Sequence, residues 1–301
     1  MAAGISAFLL WGLFPVYWKL FVGLPPLELI AHRITWTMVF LLIVVPLRGR
    51  WGDYLRALRT PRQLGLYAIS GTLLAVNWLT FVYAVLTDRI LDASLGYFLT
   101  PLVNVLLGMV VLRERLRPMQ WAAIGLATSG VLVQIAQLGR LPWIALVLAA
   151  TFGIYGLLRK RGALGSLTGL ALETTVLTPI ALGFIGFLQL GGGTVIPSAP
   201  WGEQMVLALS GVVTATPLLL FATAARSLRL ATVGLLQYIG PTVQFVIGVV
   251  VYAEPFTGPV VASFILIWIG LALYTVDGLH HGYRHQQSAR RQPVPGPGGQ
   301  T

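Results

Sequence analysis

The chain has 301 residues, of which 56% are hydrophobic and only 10% are charged, and it contains no cysteine. Soluble domains carry about 25% charged residues, so this composition excludes an ordinary soluble domain and indicates a protein in lipid. The formal charge of +11 lies mostly in short loops between apolar segments, which is typical of membrane topology and argues against a nucleic-acid partner.

Ten apolar segments follow one another along the chain, and each is near the roughly 20 residues that span a bilayer. They are long and continuous, whereas the strands of a membrane barrel alternate in polarity. The first segment lacks a basic leader and a cleavage site, so we expect a retained helix. The sequence therefore predicts an all-α polytopic membrane protein with ten transmembrane helices, at residues 4–22, 29–47, 64–86, 93–112, 118–138, 142–158, 166–188, 203–225, 231–252 and 258–278.

The basic residues indicate the orientation of these segments. One set of alternate loops holds most of them, and the other set holds only Arg89 and Arg140. The positive-inside rule then places both termini in the cytoplasm. Residues 280–301 are rich in Gln, Arg, Pro and Gly, so we expect a disordered cytoplasmic tail. We interpret its histidines (His280, His281 and His285) as solvated, with a metal site as the alternative.

One polar pattern occurs twice, with an offset of 140 residues. The first copy is Tyr97, Pro101, Asn104, Gly108 and Glu114, and the second copy is Gln237, Pro241, Gln244, Gly248 and Glu254. The spacing puts the first four residues of each copy on one helical face. Five helices per half require the halves, residues 1–139 and 140–279, to have opposite orientations. Inverted repeats of this kind are typical of secondary transporters, with the substrate between the halves near the midplane.

Several short motifs carry a family resemblance. They are residues 11–19 (WGLFPVYWK), residues 31–33 (AHR), residues 77–78 (NW), residues 93–104 and residues 236–241 (LQYIGP). In combination they resemble the RarD group of the EamA-type drug/metabolite transporters, over essentially all of the chain before the tail. The resemblance implies a multi-pass protein of the bacterial inner membrane, built from two EamA repeats.

We predict a substrate pocket where the two copies of the pattern meet. Pro101 and Pro241 each remove a backbone donor and leave a carbonyl, at Tyr97 and Gln237, in need of a partner. The small residues Gly108 and Gly248 are interpreted as packing positions. The alternative is that the amides only tie helices together. The predicted substrate-binding residues are Asn77, Trp78, Tyr97, Asn104, Gln237, Tyr238 and Gln244.

Charged residues inside the segments are the candidates for coupling or anion binding. Lys19 either snorkels to the interface or binds charge, and Arg33 binds an anion or pairs with Glu28. Glu173 is costly in lipid, and protonation would reduce that cost, so a proton-coupling role is expected. His32 is its counterpart in the first half.

Two remaining pairs of acidic residues have simpler interpretations. Glu114 and Glu254, at helix ends, are expected to act in packing or gating at opposite faces. Asp88 and Asp92 form a solvated loop with a helix cap at Asp92, because two carboxylates alone seldom hold a metal ion.

Together these features predict a secondary active transporter that exports a small organic metabolite or drug by alternating access. Its expected partners are that solute, the bilayer and protons, and it acts as a monomer or homodimer without a cofactor or metal. No nucleotide-binding motif is present, which excludes ATP hydrolysis by this chain. The alternatives are an intramembrane enzyme, a channel, and an exchanger or importer of an amino-acid-like or nucleoside-like solute.

Overall fold

The computed structural model describes residues 1–21, 25–87, 90–138, 141–193, 200–251 and 258–291. Within those ranges the chain is helical and contains no strand. Eight apolar stretches of the described residues are long enough to cross a membrane; seven lie within single helices, and the eighth, Leu230–Ile247, contains a break. Two shorter apolar stretches lie at Ala2–Trp18 and Val261–Asp277. The helices are α1 (Ala2–Gly12), α2 (Phe14–Trp18), α3 (Pro26–Leu47), α4 (Trp51–Leu58), α5 (Pro61–Leu86), α6 (Ile90–Leu112), α7 (Pro118–Leu138), α8 (Trp143–Arg161), α9 (Ser166–Leu190), α10 (Trp201–Ser227), α11 (Leu230–Leu236), α12 (Ile239–Val250) and α13 (Gly258–Arg291).

The sequence missed the short helix α4, which lies in the basic loop after α3. One of its faces is buried through Tyr54 and Ala57, while Trp51 and Leu55 are exposed. The Tyr54 hydroxyl also hydrogen-bonds to Thr175 of α9, at 2.8 Å. A half-buried helix of this length cannot span a bilayer, so α4 lies against the basic end of the bundle.

The predicted segment 231–252 is not one helix, because the chain breaks at Gln237 and Tyr238 between α11 and α12. Pro241 has no N–H to bond the Gln237 carbonyl one turn back. That carbonyl instead accepts a hydrogen bond from the Gly240 amide, at 3.2 Å. The expectation that this carbonyl requires an outside partner is therefore wrong. Helix α6, in contrast, continues through Pro101.

Helix α13 extends to Arg291, beyond the predicted end at residue 278. Residues 279–291 include three Arg, three His and two Gln and contain no proline, so Gly282 is the one strongly unfavourable residue for a helix among them. The predicted irregular tail therefore does not begin at residue 280. Residues 292–301 lie outside the described residues.

The two halves of the chain interleave instead of packing as separate bodies. Helix α3 packs against α9 and α10, α6 against α8 and α11, α7 against α13, and α1 against α10 and α12. The outer surface exposes large apolar side chains such as Leu132, Ile180 and Phe187, as expected for helices that face lipid. The core consequently depends on both halves.

Close helix approaches recur at matched positions in the two halves. A Cβ atom added at Gly12 would lie 2.5 Å from the Cβ of Val243, and one added at Gly153 would lie 2.6 Å from the Cγ1 of Val103. Both contacts require a residue without a side chain. The glycines are offset by 141 residues and the valines by 140.

The contact between α7 and α13 shows the same correspondence. A Cβ at Gly130 would lie 2.8 Å from the Ser263 carbonyl oxygen, and one at Gly270 would lie 2.6 Å from the Ala123 carbonyl oxygen. Both the two glycines and the two carbonyl residues are offset by 140. Each helix therefore presents to the other the same small-residue contact.

Candidate functional site

A cavity of about 520 Å³ lies between the halves of the bundle. It is lined by residues of α1, α2, α3, α5 and α6 from the first half and of α8, α10 and α12 from the second. Pockets of 300–1,000 Å³ accept small organic ligands. The predicted residues that line it are Arg33, Asn77, Trp78, Tyr97, Gln237, Pro241 and Gln244.

The cavity occupies the part of the bundle remote from the basic loops. In α3 its lining ends at Arg33, in the first half of the helix, whereas the basic loop follows Leu47. In α5 the lining runs from Leu74 to Val82, in the second half. The cavity therefore reaches from the middle of the bundle toward the end opposite the basic residues.

Arg33 carries a positive charge on the cavity wall. Its Nε donates to the Thr214 hydroxyl at 2.8 Å, which links α3 to α10. Its Cζ lies 4.2 Å from the ring centroid of Trp78 and 5.3 Å from that of Trp18, so two indole faces flank the guanidinium. Within the described part of the chain, no ion pair joins Arg33 to Glu28 or to another carboxylate. The alternative of a Glu28–Arg33 pair is therefore wrong.

Asn77 both lines the cavity and ties two helices together, which are the two roles that the sequence left open. Its Nδ2 donates to the Leu148 carbonyl and to the Thr151 hydroxyl, each at 2.9 Å, and so ties α5 to α8. The residue also lines the cavity, as does the neighbouring Trp78. The amide thus anchors the wall of the cavity to the second half of the chain.

The two copies of the polar pattern meet differently from the prediction. Asn104 is fully buried and donates from Nδ2 to Oε1 of Gln237, so it lies behind the cavity wall instead of in it. Gln244 lines the cavity and donates to the Trp11 carbonyl at 3.2 Å. Tyr238 is buried and donates to the Phe98 carbonyl at 3.1 Å, and it does not line the cavity.

Comparison with known proteins identifies the family. The EamA-like transporter family matches residues 1–135. RarD of Escherichia coli (strain K12) is 39% identical over 276 residues, which cover 92% of this chain and 93% of the relative. An uncharacterized transporter, YojE of Bacillus subtilis (strain 168), is 44% identical over 89% of this chain and 91% of its own. The chain belongs to the RarD group of the EamA-type transporters.

Two further proteins resemble this chain at lower sequence identity. The chloramphenicol-sensitive protein RarD of Pseudomonas aeruginosa is 31% identical over 89% of this chain and 91% of the relative. One crystal structure has a TM-score of 0.70 at 22% identity and covers 91% of this chain and 96% of its own. At that identity, the structural likeness shows the fold alone. This RarD-group chain is accordingly a multi-pass membrane transporter protein.

Glu173 of this RarD-group protein lies outside the central cavity, in a buried polar cluster. Its Oε1 accepts from the Ser70 hydroxyl at 2.5 Å and lies 3.3 Å from Nη1 of Arg159, and its Oε2 accepts from Tyr155 at 3.4 Å. Both members of the ion pair are 1% exposed. Glu173 therefore differs from the isolated carboxylate that the sequence suggested, because its buried partner is Arg159, which directly follows the predicted segment 142–158.

The remaining predicted residues are distributed around the bundle. Nε2 of His32 is buried without a partner in the described structure, and His32 does not line the cavity. Lys19 follows α2 in a short 3₁₀ turn, but its side chain lies outside the described residues, as does that of Asp92, and so do the surroundings of Gly248. Asp88 and Glu254 lie outside the described residues entirely. No cluster of three or more metal-ligating residues occurs in the described part.

The basic end of the bundle is joined across the halves by Glu114. Its carboxylate accepts from the backbone amides of Leu230, at 2.7 Å, and Ala231, at 3.1 Å, at the start of α11. A Cβ at Gly108 would lie 2.8 Å from Oε2 of Glu114, so Gly108 leaves room for the carboxylate. Lys160 donates to the Leu228 carbonyl nearby. The end of the bundle opposite the cavity is therefore closed by polar contacts.

Sequence reasoning missed several residues of this site. Phe8, Trp18 and Phe152 line the cavity, and Thr214 holds Arg33. Trp18 lies within a motif that carries the family resemblance, so a signal for it was present. No signal marks Thr214, because its role depends on the packing of α10 against α3.

Proposed function

We propose that this chain is a secondary active transporter that exports a small organic solute across the bacterial inner membrane by alternating access. The observation that carries the proposal is the cavity of about 520 Å³ between the halves, with its polar closure at the basic end. A carrier needs such a site with access from one side at a time. The family relationship supports transport, and the cavity supplies a place for the solute.

The proposed topology is ten spans in two inverted repeats, with both termini in the cytoplasm. Eight long apolar stretches and two shorter ones supply the ten spans. The matched contacts of Gly12 with Val243 and of Gly153 with Val103 support a two-fold relation between the halves. The distribution of basic residues supports the orientation. The cavity then opens toward the periplasm in the conformation described here.

The first test is solute counterflow in proteoliposomes. Vesicles loaded with unlabelled solute should accumulate labelled solute transiently, with saturable dependence on concentration, because a carrier exchanges one bound solute for another. A non-saturable flux that ends at equilibrium would indicate a channel and contradict the proposal. Chemical conversion of the solute without movement would indicate an enzyme.

The topology has an independent test in reporter fusions. A fusion after Arg59 and a fusion after Gly278 should both report the cytoplasm, because both positions lie on the side that carries the basic loops. A periplasmic signal from either fusion would contradict the proposed orientation.

A further inference from the structure

From the wall of the cavity we infer that the solute is an aromatic carboxylate, an anion whose recognition requires no ammonium group. This inference rests on the proposed transport function and assigns the substrate class of the same cavity. The one charged side chain described on the wall is that of Arg33, and the rest of the wall is rich in aromatic rings.

The guanidinium of Arg33 is only partly satisfied by the protein. Its Nε donates to Thr214 at 2.8 Å, while its two Nη groups have no hydrogen-bond acceptor among the described residues. They are not among the buried unpartnered atoms, and Arg33 lines the open space of the cavity. An arginine remains charged in proteins, and at membrane depth its charge needs a counter-charge or water. A carboxylate with two oxygens fits the two free donor groups in a bidentate arrangement.

The orientation of this guanidinium is fixed before a ligand arrives. Trp78 and Trp18 flank it at 4.2 and 5.3 Å from their ring centroids, and Thr214 holds its Nε. The indole faces attract the cation but bring no net negative charge. The structure therefore presents a preorganised donor pair whose charge is uncompensated by a carboxylate in the described residues.

The aromatic part of the wall selects the other portion of the ligand. Trp11 packs against Phe152 with ring centroids 5.7 Å apart, and Phe81 packs against Tyr97 at 6.0 Å. All four line the cavity, and ring faces favour an aromatic ligand by about 2–10-fold over an aliphatic one of the same size. Polar contacts to the remainder of the solute are available from the amides of Gln237 and Gln244.

The same wall disfavours cations. No Asp or Glu lines the cavity among the described residues, so an ammonium group would find no counter-charge and would be repelled by Arg33. A zwitterionic amino acid gains its carboxylate contact but loses the solvation of its ammonium group. An aromatic carboxylate without an amine is therefore expected to bind more tightly than the matching amino acid.

The test uses five probes of related shape on the full chain in lipid nanodiscs, with binding measured by calorimetry. The probes are 3-phenylpropionate, 3-phenylpropanamide, phenylalanine, phenethylamine and 3-cyclohexylpropionate. Phenylpropionate should bind about 10–100-fold more tightly than its neutral amide, because the bonds to Arg33 are charge-assisted. Phenylalanine and phenethylamine should bind more weakly, and the cyclohexyl acid several-fold more weakly. Equal binding of acid and amide, tighter binding of either amine, or no binding of any probe would overturn the inference.

Two variants of Arg33 connect the preference to this residue. Arg33→Gln should reduce the acid-over-amide preference to about threefold or less with little change for the amide, and Arg33→Lys should restore part of it, because Lys retains the charge without the fork. Arg48→Gln, at an exposed position after the opposite end of α3, is the matched control and should change nothing. An unchanged preference in a folded Arg33→Gln protein would overturn the assignment, and if that variant does not fold, the probe series on the native chain still decides.

These experiments distinguish failure of the assigned ligand class from failure of the transport proposal. The acid-over-amide preference with no counterflow of phenylpropionate in proteoliposomes would refute transport and leave the assigned ligand class standing. Counterflow of a neutral or cationic solute without binding of any aromatic acid would refute the ligand class and leave transport standing.

Discussion

Glu114 offers a quantitative test of alternating access, because its contacts join the halves at the end of the bundle that is closed. Its carboxylate accepts backbone hydrogen bonds from Leu230 and Ala231 and lies at the positive end of α11. Hydrogen bonds to a charged group contribute about 1.5–3 kcal/mol. Because Glu114 is partly exposed, we take about 1.5–2 kcal/mol, which corresponds to a shift of roughly 10–30-fold in the equilibrium between the two access states.

The perturbation is Glu114→Ala, and the assay is cysteine labelling of the cavity. The chain contains no cysteine, so Phe81→Cys on the cavity wall provides a single reactive thiol. Labelling by a membrane-impermeant maleimide from the basic-loop side reports the state that is minor in the native chain. Its rate should rise by roughly 10–30-fold in Glu114→Ala, while labelling from the opposite side falls.

The control is Glu203→Ala, which removes an exposed acidic residue from the first turn of another helix, α10. It should leave both labelling rates unchanged. Unchanged rates in a folded Glu114→Ala protein would refute the argument that these two hydrogen bonds hold the basic end closed.

Three further substitutions test the buried contacts by thermal unfolding. Glu173→Gln leaves the Arg159 charge buried and should lower the free energy of unfolding by about 3–5 kcal/mol, most of which the added substitution Arg159→Met should restore; an unchanged stability of the single variant would contradict the ion pair. A loss of uphill transport that persists in the stable double variant would support proton coupling at Glu173. Asn104→Ala removes the buried bond to Gln237 and should cost about 1–3 kcal/mol, so a change in solute affinity at unchanged stability would show that Asn104 belongs to the cavity instead. Gly12→Ala should lower the free energy of unfolding by about 1–3 kcal/mol, because the added Cβ clashes with Val243, whereas Gly125→Ala, where a Cβ meets open space, should leave it unchanged. Equal stability of the two variants would contradict the close helix approach.

Several predicted segments agree with single helices, because an apolar segment in lipid needs a fixed length of apolar residues. The predicted segment 118–138 coincides with α7, and the start of segment 166–188 coincides with that of α9. The differences occur where local chemistry outweighs average hydropathy. Helix α4 is too short and too polar to register as a span. The break before Pro241 is not determined by the proline alone, because α6 continues through Pro101.

The site was predictable only in part, because one face of a helix does not specify which neighbour it meets. Tyr97, Gln237 and Gln244, which the sequence assigns to substrate binding, line the cavity. Asn104 lies on the same predicted face as Tyr97 but is covered by Gln237, because α11 packs against α6. The burial of Arg159 depends on Glu173 in another helix, and no periodicity within α8 indicates that pairing.

The most direct test of the cavity as the solute site is to fill it. Gly240 lines the cavity, and a Cβ added there meets only the Phe8 carbonyl oxygen, at an ordinary 3.5 Å. Gly240→Leu should therefore fold with a nearly unchanged melting temperature and lose saturable counterflow, while Gly125→Leu on the open face of α7 should retain both. Normal counterflow by a folded Gly240→Leu protein would contradict transport through this cavity.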